Sequence, residues 1–125
     1  MQHLNHLSNS QQESVLALIK AAHDFDGTPP IAEHVLLHLR HGGDKSDSHI
    51  VFEEGNQVIA YAHLDKTDLV AGPSVEAVVH PNHRGKGLGS LILKEAIKVS
   101  FIIEEESLFQ ASISKPFIFL PNDLA

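Results

Sequence analysis

The chain has 125 residues, 42% hydrophobic content, no cysteine and a formal charge of −7. That suffices for one compact domain with its own core, held without disulfides or thiolate-bound metal. The acidic balance excludes a sequence-independent grip on nucleic acid, which needs phosphate-neutralising cations.

The N-terminus, MQHLNHLSNS, lacks the charged and apolar regions of a signal peptide, and no apolar run reaches the roughly 20 residues that span a bilayer. A soluble, cytoplasmic protein with no nucleic-acid or membrane partner is expected. Residues 9–23 predict a helix opened by Ser8, Asn9 or Ser10, with Val15, Leu16, Leu18 and Ile19 on its apolar face. Asp24–Pro30 is a cluster of breakers, expected as loop. A second helix follows over 31–41, with Val35, Leu36 and Leu39 inward and Gly42–Gly43 as its stop; 44–48 reads as polar loop. Strands are expected at 49–54 and 57–65 around a Gly55–Asn56 turn, and from Ser74 to His80, after a loop at 66–73. Residues 88–99 then carry Leu88, Leu91, Ile92, Ala96 and Val99 at helical spacing. The residues after Val99 are less legible and leave room for a helix extension and one strand, with Glu104–Glu106 as a solvated face. This order predicts an α+β fold: a mostly antiparallel sheet of three or four strands flanked by helices, with the last helix on one face.

The chemistry concentrates between the third strand and that helix, in Arg84-Gly85-Lys86-Gly87-Leu88-Gly89-Ser90. Glycines let the backbone approach a ligand closely, and free N–H groups at a helix start make an anion pocket. Arg84 and Lys86 add positive charge, so the expected ligand is a phosphate or pyrophosphate. The spacing fits neither a P-loop, which ends in Lys-Ser/Thr, nor the dinucleotide GxGxxG. It does fit [Q/R]xxGx[G/A], with Arg84, Gly87 and Gly89, directly after Val-His-Pro.

That loop and the stretch VVHPNHRGKG around it resemble the acetyl-CoA motif of the GNAT N-acetyltransferase superfamily. Residues 29–43, 60–65 and 71–93 are similar to the N-terminal acetyltransferase domain of the mycothiol synthase family, whose members acetylate the cysteinyl amine of cysteinyl-glucosaminyl-inositol with two tandem GNAT domains. The resemblance implies that Ala77, Val78 and Val79 offer strand backbone to the pantetheine arm of acetyl-CoA. Arg84 and Gly85 to Ser90 would hold the pyrophosphate, and Glu33 would contact the aminosugar acceptor. Residues 1–99 then form the acetyl-CoA-binding domain and 100–125 an atypical tail. The tail shows no Trp-Ala-His-Gly-like stretch, so closing strands missing or altered, and a truncated first domain without its tandem partner, are expected. Two readings follow: an N-acetyltransferase acting on a small-molecule amine, or an acetyl-CoA-binding module that has lost catalysis. Exposed sheet edges would invite a dimer.

Glu76, on the strand beside the thioester path, is the candidate general base. Tyr61, the only tyrosine, reads as core, and no tyrosine stands in the C-terminal segment where many GNATs carry their general acid. His34, His38 and His41 share a helical face, but no Glu follows His34 as HExxH requires, and no metal is expected. His80 and His83 flank the glycine loop as capping or surface residues.

Overall fold

The structure, a computed structural model, describes residues 1–41, 48–65, 74–106 and 117–119. Five strands form one sheet in sequential order: β1 (Gln2–Leu4), β2 (Ser48–Glu54), β3 (Gln57–Asp65), β4 (Ser74–Val79) and β5 (Phe117–Phe119). β1 to β4 pair antiparallel and β5 joins β4 in parallel. The α+β expectation holds, with β1 as an added strand. Its three residues are too few to show a period of two. The expected Gly42–Gly43 stop, most of the 44–48 loop and the 66–73 loop lie outside the described residues.

Helix α1 (Asn9–Asp26) starts at Ser8, whose hydroxyl accepts the Gln11 N–H while the Gln11 side chain accepts the Ser8 N–H, a reciprocal capping box. It does not stop at His23. It continues through Asp24, Phe25 and Asp26 to Gly27, whose φ of 78° is left-handed and whose N–H returns to the His23 carbonyl at 2.8 Å. Lys20 meets Asp24 one turn on at 2.7 Å, so the segment expected as loop is helix until glycine ends it. Helix α2 (Glu33–His41) begins two residues later than expected, and α3 (Leu88–Glu106) takes the anticipated extension through the acidic run.

The two faces of the sheet carry separate apolar clusters. Val51, Val58, Tyr61 and Val78 pack under α1 and α2 with Val15, Leu18, Ala22 and Val35. Ile50, Ala62, Val75, Ala77 and Val79 pack under α3 with Ile92 and Ala96. Cover on both sides makes β3 buried without a break from Val58 to Leu64. Ile59 and Ala60 both join the α3 cluster, which strict alternation forbids. A register slip permits it: Phe52 faces Ala60 while Glu53 faces Val58, so β3 carries one extra residue there.

Polar side chains also enter the α1/α2 face. Tyr61, fully buried as expected, shares a 2.8 Å hydrogen bond with Nδ1 of buried His49, and the rings stack. Removing one partner strips a buried polar atom of that bond. Tyr61→Phe should therefore lower unfolding stability by about 1–3 kcal/mol, read by urea denaturation; an unchanged midpoint would show that the hydroxyl contributes nothing.

Candidate functional site

The last residues of β4 are where an extended ligand could pair with the sheet. β5 is matched to Ser74, Val75 and Glu76 only, so Ala77 to Val79 have no partner strand on their outer side among the described residues. Which backbone groups point outward follows from one bond. The His80 N–H donates to the Ile59 carbonyl at 2.8 Å, toward β3. Alternation along a strand then turns the groups of Val78 and Glu76 inward and those of Ala77 and Val79 outward. The parallel pairing of Glu76 with Phe119 engages the Ala77 N–H, and the Val79 carbonyl already accepts the Nε–H of Arg84 at 3.1 Å, so the open edge carries the C=O of Ala77 and the N–H of Val79.

Beyond β4 the chain makes a 3-10 turn at Pro81–His83 and enters the glycine loop. Gly85 and Gly87 have φ of 76° and 84°, conformations that cost other residues strain. A Cβ at either would meet nothing within 4 Å, so the concavity in front of them is open. The first helical bond of α3 here is from the Leu91 N–H to the Gly87 carbonyl at 3.0 Å. The N–H groups of Leu88, Gly89 and Ser90 precede it and have no partner within the helix. Three amides at the positive end of a 19-residue helix, with exposed Lys86 beside them, fit a diphosphate.

Arg84 departs from its expected role. Its guanidinium faces the protein, bonding both carboxylate oxygens of Asp26 at 2.7 and 2.9 Å, and its side chain is only 14% exposed. It also lies over the Phe25 ring, 5.8 Å from the centroid. A cation neutralised this way holds the loop in place, and positive charge toward an anion comes from Lys86 and the helix end. Sequence reasoning missed Asp26 because it treated that residue as loop, and no local pattern marks an ion pair between residues 58 apart.

His80 caps the turn after β4, its Nδ1 accepting the Asn82 N–H at 3.1 Å, which leaves Nε2 as the protonated nitrogen of the neutral ring. Burial first, then the charges of His83 and Arg84, hold its pKa below the ordinary value. His83 meets His80 edge to face and stands 4.0 Å from Glu54.

On the α1/α2 face, a cavity of about 590 Å³ is walled by Pro29 to Ala32 and Leu36, and into it come His23, Glu33 and Glu76. The two carboxylates singled out from sequence, on different elements, therefore share one pocket. Glu76 is part-buried rather than on a solvent face, and its Oε2 accepts the Ala32 N–H at 3.1 Å, just where α2 begins. No three acidic or histidine side chains come together as metal ligands among the described residues. The side chains of His34, His38 and His41 lie outside them. No helix among the described residues is long and apolar enough to cross a membrane.

A family model described as an acetyltransferase (GNAT) domain matches residues 45–116, from the start of β2 through the loop and α3. The chain belongs to the GNAT acetyltransferase family. Mycothiol acetyltransferase of Streptosporangium roseum is 40% identical over 97 residues, which are 78% of this chain and 29% of that protein. The enzyme of the same name from Acidothermus cellulolyticus is 43% identical over 83 residues, 64% of this chain and 25% of that one. Among solved structures, a GCN5-related N-acetyltransferase from Sphaerobacter thermophilus superposes with a TM-score of 0.53 at 27% identity, covering 78% of this chain and 30% of that one. The chain thus spans under a third of the length of these relatives.

Two outcomes follow from the loop's own contacts. Arg84→Met takes the guanidinium away from the carboxylate of Asp26, only 6% exposed, and should cost about 3–5 kcal/mol in chemical denaturation; a loss below about 1 kcal/mol would make the pair incidental. His80, its folded pKa depressed, favours the neutral ring. Its contribution is present above the ordinary histidine pKa and is lost as pH falls through the lower folded value. An NMR titration should place its midpoint below that of free histidine, and a midpoint above it would contradict this.

Proposed function

We propose that this chain binds acetyl-CoA along the free edge of β4 and the glycine loop, and transfers its acetyl group to a small-molecule amine held in the Glu33–Glu76 pocket. One observation carries the reading. Glu76 and Ala77 are consecutive on β4, so a carboxylate facing the pocket adjoins the residue at which the open edge of the strand begins.

In this reading Ala77, Val78 and Val79 pair with the pantetheine arm as an added strand would. The amides of Leu88 to Ser90, with Gly85, Lys86 and Gly87, hold the diphosphate, and Arg84 sets the loop's position. Bound acetyl-CoA supplies the electrophile, a thioester carbonyl. The outward N–H of Val79 is the donor available to polarise its oxygen. Glu76 removes the acceptor's ammonium proton, directly or through water, so that the amine can attack; the C–N bond forms as the thioester C–S bond breaks, and the departing thiolate takes up the second proton that the nitrogen sheds. Glu33, at the first turn of α2, offers the second carboxylate for a cationic or hydroxylated acceptor. The relatives' name supports the mycothiol precursor, cysteinyl-glucosaminyl-inositol, as that acceptor.

A second reading has the chain bind acetyl-CoA without turnover. Its support is Tyr61: the only tyrosine in the sequence is fully buried, with its hydroxyl bonded to His49.

Calorimetry with coenzyme A and a turnover assay separate these. Gly87→Glu, which forces a side chain into a left-handed position and adds negative charge, should abolish coenzyme A binding. Glu76→Gln should retain binding and lower kcat by about 10²–10⁴-fold. Binding with no product from the unaltered chain supports the second reading; a chain indifferent to coenzyme A ends both.

A further inference from the structure

We propose that Asp26 is a positioning residue that couples the amine pocket to the diphosphate loop, an inference that rests on the function proposed above. Asp26 ends α1, and its two carboxylate oxygens take both terminal nitrogens of Arg84. Arg84 immediately precedes Gly85, and its Nε holds the last carbonyl of β4. A guanidinium fixed at three points by a planar fork has almost no freedom, so the start of the glycine loop is set by where Asp26 stands.

The residues after Asp26 build the pocket. Gly27 turns the chain out of the helix, Pro29 and Pro30 stiffen it, and Pro29 to Ala32 form the pocket wall. At the far end of this strap, the Ala32 N–H donates to Glu76. The strap Gly27–Ala32 is thus anchored at both ends, by Asp26 to the loop that would hold a diphosphate and by Ala32 to the carboxylate that would take a proton. Because Arg84 is held so firmly, a ligand that damps the loop's remaining motion would damp Asp26 with it, and through the strap the wall and the orientation of Glu76. Two sites that share one tethered segment are linked, and the linkage is reciprocal.

A purely architectural ion pair would not act this way. Its loss would loosen the strap equally with and without coenzyme A, whereas a coupling residue changes only the response. The readout is NMR amide exchange at Ala32, whose N–H makes the bond to Glu76, with the amides of Leu88 to Ser90 as the internal report of binding. In the unaltered chain, saturating coenzyme A should slow exchange at both places, at Ala32 by about fivefold or more. In Asp26→Asn, coenzyme A should still slow Leu88 to Ser90 while Ala32 changes by less than about twofold. If that variant does not fold, Arg84→Lys, which keeps the charge and loses the fork, carries the same comparison. An Ala32 response that persists in the variant overturns the proposal. So does an unaltered chain in which Leu88 to Ser90 respond and Ala32 does not. No response at Leu88 to Ser90 in the unaltered chain removes the proposed function itself, and the coupling with it.

Discussion

A guanidinium that bonds two carboxylate oxygens at 2.7 and 2.9 Å and a strand carbonyl at 3.1 Å joins three elements of the fold. Through Arg84 the end of α1, the end of β4 and the start of the glycine loop share one fixed point. Charge-assisted, two-pronged bonds of this kind are directional as well as strong, and they are little screened where both partners are nearly closed off from water. The loop's open torsions at Gly85 and Gly87 therefore sit against a rigid base. A phosphate-binding turn needs both properties: backbone freedom where it wraps an anion, and a stiff root that keeps the amides aimed.

The second constraint is the short reach of β5. A full-length neighbour would have sealed the outer side of β4 with main-chain bonds. Among the described residues the pairing ends at Glu76, and Ala77 and Val79 carry outward groups at the point where the strand runs into the loop. Edge and loop are continuous along the chain, so a molecule with an extended, amide-bearing arm and a diphosphate could follow both without a break. The pocket under α1 and α2 meets this path at Glu76, which would let one strand serve two ligands in the proposed reaction.

How much of this was legible in the sequence depended on range. The strands from β2 to β4, the Ser8 cap, the helix after the loop and the glycine loop itself are local patterns of period, capping or turn residues, and each lies where those patterns point. Glu33 and Glu76 were single residues singled out for different reasons, one from a family resemblance and one from its place on a strand, yet they face one cavity. The failures were of another kind. Asp24 to Asp26 read as loop because acidic residues and glycine cluster there, while the helix that contains them is completed by a capping bond at Gly27 and a lysine one turn back. β1 is too short to carry a pattern and exists because β2 offers it an edge. Arg84 carried the right motif and the wrong direction. Its partner lies 58 residues away, and only the folded chain brings an acid close enough to turn the cation inward.

That inward turn also bears on solubility. An unpaired strand margin is a template on which a second polypeptide can grow, and natural sheets blunt such margins with charge or with short strands. Here the Val79 carbonyl is occupied by a side chain of its own molecule, so an intruding strand would first have to displace Arg84 from its bond there. The opposite rim is only three residues long. If that flank receives a cofactor, as proposed, the same side-chain bond would also hinder a second chain from pairing there.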